Sequence, residues 1–312
     1  MQEIKKYLKV ISPFNNMDEI PKSAYIVKKL LAFLVIYMAA AFIGEGIVIA
    51  ILLANGYDFM HGVMPSDSIM NLLTYYGFII YLLVTLVYCK FVEKRPIKSM
   101  GFNKSILEYI LGMGIAAILL IVIMVVTSLL GGSSYLGIGK DIDWIYLFVL
   151  LGGFVIQGMA EEAMCRGFLM KSLEKKIPLV LTILVSATAF AFPHFSTLFE
   201  AEFQYAVVGT INLYLIAAIF SLLILRRSNI WIACGLHSVW NFLLYGVFGL
   251  SVSGSGENLS GVICFQVDDA SIINGGQYGI EASIITTVVL GVFVVILCKG
   301  LKTSKVENKN GI

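Results

Sequence analysis

Six side chains of this 312-residue protein bring charge or proton-transfer chemistry into runs that are otherwise apolar: Glu45, Glu161, Glu162, Arg166, His194 and His237. Such groups are costly in a bilayer and mark functional sites, where Glu and His give and take protons. Spacing sorts them onto faces. Glu162 and Arg166 stand at i and i+4 with the acid first, the favourable order for an ion pair on one helix face, so they are expected to pair. Glu161 is turned by about 100° from Glu162. It cannot share that pairing face and is free to point into a site. His237 and Asn241 project together at i and i+4, as do Phe190 and His194. Pro193, just before His194, either ends its helix or bends it and opens the backbone to water.

Three separate stretches must bring these groups together, and the composition says what those stretches are. Apolar residues make up 59% of the chain and charged residues 13%, about half the charge of a soluble domain. Uncharged windows recur at 30–54 (broken once by Glu45), 68–89, 109–139, 144–160, 177–199, 203–225, 228–256 and 282–298. Each can hold a helix of about 17 to 25 residues, as a hydrocarbon core of ~30 Å requires. The fold expected is an all-α polytopic membrane helix bundle of about eight transmembrane helices. We divide it into a cytoplasmic N-terminal segment 1–29, a single transmembrane domain 30–300 with its core at about 144–248, and a cytoplasmic tail 301–312.

Orientation follows from the 22 Lys and Arg residues, of which only Lys140 falls in the connections that alternate with the basic ones. Basic loops stay cytoplasmic, so a multi-pass protein with both termini cytoplasmic is expected, with the cell membrane as its location. The lysine-rich start lacks the short apolar core of a signal peptide and reads as mature protein. At ~1.5 Å per residue from the expected cytoplasmic helix ends, Arg166 and His237 rise roughly 10 and 12 Å, Glu161 and Asn241 roughly 18 Å and His194 roughly 24 Å, one slab at mid-membrane.

A net charge of +2 without a basic stripe sets nucleic acid aside. Cys89, Cys165, Cys234, Cys264 and Cys298 are scattered, with no CxxC pair, and imply neither a disulfide framework nor a thiolate zinc site. The outer connection from Gly249 to Glu281 is Gly-rich, with a β-like run from Val262 to Val267. It reads as an ordered surface loop, or else as a lid.

Read as EExxxR (Glu161 to Arg166), FxxxH (Phe190 to His194) and HxxxN (His237 to Asn241), these residues resemble the three motifs of the CPBP family. That family comprises CAAX prenyl proteases of the Abi type and bacteriocin-processing or immunity proteins. All three motifs are present, in order, over 152–248. The resemblance implies an intramembrane endopeptidase. Glu161 would be the water-activating base, His194 would hold the water or a metal, His237 and Asn241 would face the oxyanion, and Glu162, Arg166 and Phe190 would support them. Serine, zincin-type and aspartyl mechanisms lack their parts here. The family is labelled metalloprotease, and Glu161, His194 and His237 could make a three-ligand zinc site. Glu161 then could not also act as the base, and the metal-free glutamate mechanism is preferred.

The expected partners are a peptide or protein substrate in or at the membrane and the lipid bilayer. A proton-coupled secondary transporter is the rival from another class, but the inverted repeats it predicts are not visible. A non-catalytic bacteriocin-immunity or scaffold protein is the third reading. Glu45, between Gly44 and Gly46, reads either as a neighbour of glycines that pack helices or as a polar contact with the site.

Overall fold

The structure is a computed structural model that describes residues 2–307 except 18, 59–60, 104, 255–260 and 268; the rest of the expected tail, 308–312, lies outside the described residues. A short helix α1 (Gln2–Ile11) precedes six long ones: α2 (Lys22–Ala54), α3 (Asp67–Val92), α4 (Ile106–Leu129), α5 (Trp144–Leu173), α6 (Leu179–Glu200) and α7 (Phe203–Arg227). These six are long and apolar enough to cross a bilayer, and the chain is a multi-pass integral membrane protein with an all-α bundle. The two remaining expected windows form shorter apolar helices. One is α8 (Trp231–Phe242), prolonged by a widened turn at Leu243–Val247. The other is the apolar part of α9 (Ile284–Glu307). By length and composition six of the eight expected spans are long enough to cross, and the other two are shorter apolar helices.

Local signals set several boundaries. Ser66 caps α3 by accepting from the Ile69 N–H at 3.4 Å, and Asp143 caps α5 by accepting from the Tyr146 N–H at 2.9 Å. The window 109–139 is not one helix: α4 stops at Leu129, and Gly131 takes a left-handed φ of 75°, which glycine adopts without strain. Beyond it, β1 (Ser133–Ile138) pairs antiparallel with β2 (Ile263–Val267), Ser133 opposite Val267 and Ile138 opposite Ile263. The β-like run in the outer loop is therefore a strand, and its partner follows α4. Glu281 closes the same loop onto the bundle. Its carboxylate accepts from Trp240 Nε1 at 2.9 Å and from the Ser253 N–H at 2.5 Å.

α7 is the most buried of the six long helices and α2 the least. Phe42, Leu107, Ile118 and Ile145 project outward, as side chains facing lipid must. At the end bearing the basic connections, Arg95 donates to the Gly167 carbonyl at 2.8 Å and to Ser172 Oγ at 2.7 Å, while Glu93 pairs with both Lys29 and Arg95. These bonds tie α2 and the α3–α4 connection to the end of α5.

α8 is set by close backbone approach. A Cβ at Gly112 of α4 would overlap the Ile232 carbonyl oxygen, and one at Gly235 of α8 would overlap that of Tyr109. On α5, a Cβ at Gly158 would come within 2.6 Å of Ser238 Oγ. Small residues let membrane helices approach this closely. We therefore expect Gly112→Ala to lose about 1–3 kcal/mol, the usual cost of overpacking. Gly114→Ala, on the same helix with nothing within 4 Å, should stay within ~0.5 kcal/mol of wild type. Unfolding in detergent compares the two, and equal stabilities would contradict the crossing.

Candidate functional site

α5 is regular up to Glu162 and then widens over Ala163–Met170 into π-helical turns. Such turns are rare and collect at functional sites. Within this segment the Cys165 carbonyl accepts from Ser186 Oγ of α6 at 2.9 Å. Glu162 and Arg166 lie across the transition and pair as expected, with Nη1 donating to Oε1 at 2.9 Å and both side chains fully buried. Arg166 Nη2 donates to the Ala217 carbonyl of α7 at 3.2 Å. The guanidinium also lies over two rings, 4.6 Å from the Phe190 centroid and 5.0 Å from that of Phe220. Cation–π attraction at desolvated sites is worth about 2 kcal/mol.

Glu162 has a second partner. His237 Nδ1 lies 3.1 Å from the same Oε1, and the His237 ring stacks on Phe220 at 5.1 Å and meets the edge of Phe190 at 5.7 Å. A carboxylate paired with arginine only accepts hydrogen bonds, so the proton of a neutral His237 sits on Nδ1 and Nε2 carries the lone pair. That Nε2 is 4.0 Å from Glu161 Oε2. The two acids are therefore divided as their spacing implied: Glu162 faces Arg166, Glu161 faces away from it, and His237 stands between them.

The other oxygen of Glu161 is held by a residue that motif spacing did not pick out. Gln157, one turn earlier on α5, donates from Nε2 to Glu161 Oε1 at 3.0 Å and accepts at Oε1 from Asn241 Nδ2 at 3.2 Å. Its offset of four from Glu161 was visible in the sequence. Phe220, on α7, had no such signal. At Pro193 the regular α-helical turns stop after Ala191, as a proline there implies, a 3-10 turn follows over Phe192–His194, and α-helix resumes at Phe195. His194 is half-buried and lines a cavity of ≈ 120 Å³ with Glu161, Gln157, Phe190, Tyr37 and Tyr81.

Glu161, Gln157 and His194 thus share one cavity; from α8, His237 approaches its acid and Asn241 donates to its Gln157. Glu161, His194 and His237 are the candidate ligands should a zinc ion bind. Among the described residues no three His, Cys, Asp or Glu are placed to hold one ion together. The His237 Nε2 lone pair, oriented by Glu162, is free to accept a proton or bind an electrophile.

Arg166→Ala should leave the Glu162 carboxylate buried with its strongest partner gone, a loss of about 3–5 kcal/mol. Folded, monodisperse yield in detergent should fall, and adding Glu162→Gln should restore part of it. A normal yield of the single variant would remove the pairing from the account.

No curated protein matches the chain in sequence. Residues 143–243 match the family model described as type II CAAX prenyl endopeptidase Rce1-like, a stretch that holds Gln157, all three motifs and Phe220. Over these residues, about a third of its length, the chain is similar to the Rce1-like CAAX prenyl endopeptidases.

Proposed function

We propose that the protein is an intramembrane endopeptidase of CAAX type that cleaves a peptide bond of a membrane-associated substrate, a CAAX-like tail or a peptide precursor, with water activated by Glu161. The observation that carries this reading is the spacing of Glu161 Oε2 and His237 Nε2. At 4.0 Å they are too far apart to bond directly, and a polar gap of this width suits one shared water. With Gln157 holding Oε1, the Oε2 atom is the one left to take a proton.

In the reaction so proposed, the water gives one hydrogen bond to Glu161 Oε2 and the other to His237 Nε2. Its oxygen attacks the scissile carbonyl as its proton passes to Glu161. Asn241 has a second amide N–H beyond the one bonded to Gln157, and this donates to the oxyanion. His194, on α6, is the further group available to hold the water or the carbonyl. The tetrahedral intermediate collapses as Glu161 returns its proton to the leaving amine. His237 serves the water rather than the oxyanion here, because its Nδ1 proton is committed to Glu162. We further propose that the basic connections and both termini lie on the cytoplasmic side of the cell membrane.

The decisive experiment is incubation of the protein in liposomes with candidate peptides and detection of new termini by mass spectrometry. Glu161→Gln should fold normally and lose about 10²- to 10⁴-fold in rate. Asn241→Ala should lower kcat more than it raises KM, since an oxyanion contact strengthens only in the transition state. A folded Glu161→Gln protein that cleaves at the wild-type rate would overturn the catalytic reading in favour of a transporter or scaffold.

Metal dependence is tested separately. We expect cleavage to survive dialysis against a strong chelator, because Glu161 and the amide donors complete the reaction without a cation. Reversible loss of activity with about one zinc per chain would reassign His237 Nε2 as a ligand and leave the peptidase assignment intact.

A further inference from the structure

A second cavity, of ≈ 550 Å³, lies between α2 and α3. It opens on the lipid-facing surface, where Ile49 and Met64 are about half exposed. Its walls are apolar except for Glu45, Thr74 and the Tyr81 hydroxyl. Phe78 and Tyr81, stacked with centroids 5.1 Å apart, also line the cavity of Glu161 and His194, so the two spaces share a wall. Tyr37 and Tyr81 are within electrostatic reach of both Glu45 and Glu161.

The glycine-packing account of Glu45 holds only in part. Gly44 faces α3, where a Cβ would lie 4.0 Å from the Gly77 carbonyl, but Gly46 faces open space. Glu45 itself is exposed, and among the described residues no hydrogen bond or ion pair engages it. A carboxylate facing hydrocarbon is expensive, and its cost is relieved by an opposite charge brought alongside. Lys and Arg are the peptide side chains able to supply that charge while laying their apolar stems along the groove. Met64 and Met70 near the opening are flexible and polarisable, and adapt to varied side chains.

We propose that this groove seats the apolar segment of the polypeptide substrate next to the scissile bond, and that Glu45 selects substrates by pairing with a Lys or Arg in that segment. The proposal rests on the peptidase reading, since the groove matters as the approach to Glu161.

The test uses the full chain in zwitterionic liposomes and apolar peptides of about 20 residues, identical except for one Lys, Gln or Glu stepped along the sequence. Binding is read first on the Glu161→Gln protein, by fluorescence of a labelled peptide terminus. At one position Lys should bind about tenfold more tightly than Gln. Glu45→Gln should abolish that preference, and Glu45→Lys should turn it towards the Glu peptide. The same position should govern kcat/KM when Glu161 is intact. Because Glu45 is exposed and has no hydrogen bond or ion pair among the described residues, these substitutions should leave folding unchanged, which a melting curve checks.

Binding indifferent to the stepped residue, as an apolar lipid chain filling the groove would give, overturns the proposal. A lysine preference that survives Glu45→Gln does the same. A Glu45-dependent preference in binding without any cleavage by the wild-type protein overturns the peptidase reading and leaves Glu45 as a recognition site.

Discussion

The buried pair of Glu162 and Arg166 is the interaction on which the rest of the site depends. Arginine keeps Glu162 an acceptor, and an acceptor at that point fixes which nitrogen of His237 carries its proton. The pair is not an economical source of stability. Among the described residues Glu162 Oε2 and Arg166 Nε are buried without a hydrogen-bond partner. Apolar residues of similar volume often replace such a pair at no loss. What apolar residues could not do is hold an imidazole with its lone pair aimed at a second acid 4.0 Å away. Phe190 and Phe220 serve the same end. Each ring touches both the guanidinium and the imidazole, so the cation and the histidine are oriented by one aromatic frame.

Much of this was legible in the sequence because it is local. The Glu162–Arg166 pairing and the divergence of Glu161 need only the geometry of one helix, and the convergence of three helices followed from apolar runs interrupted at similar depth. The contact of His237 with Glu162 joins positions 75 residues apart, and no spacing rule reaches it. Gln157 is hidden for a different reason: an uncharged amide in an apolar run does not stand out as a Glu does, although it connects Glu161 to Asn241.

The boundaries were read less well than the helices. Hydropathy counts apolar residues and is blind to backbone direction, so Gly131 could end α4 inside an unbroken apolar window. The strand that follows is apolar enough to pass for the last turns of a span. The stretch 228–256 is uncharged throughout but helical only over part of its length, because the chain leaves the bundle near Phe248 to begin the loop that runs to Glu281. At Pro193 the missing N–H interrupts the α-helix, but sequence alone does not say that a single 3-10 turn carries the chain into renewed helix.

The glycine contacts also divide the bundle mechanically. Where α4 crosses α8, backbone lies directly against backbone, and neither helix can slide or roll without collision. Where α2 crosses α3, a side chain added at Gly44 would meet only ordinary contacts and one at Gly77 would meet none. The walls that carry His237 and Asn241 are therefore stiff. The walls formed by Tyr37, Phe78 and Tyr81 stand on helices that meet without such backbone contact. Separation of α2 from α3 would leave the backbone contacts behind His237 and Asn241 in place, so the two sides of the cavity are free to vary independently.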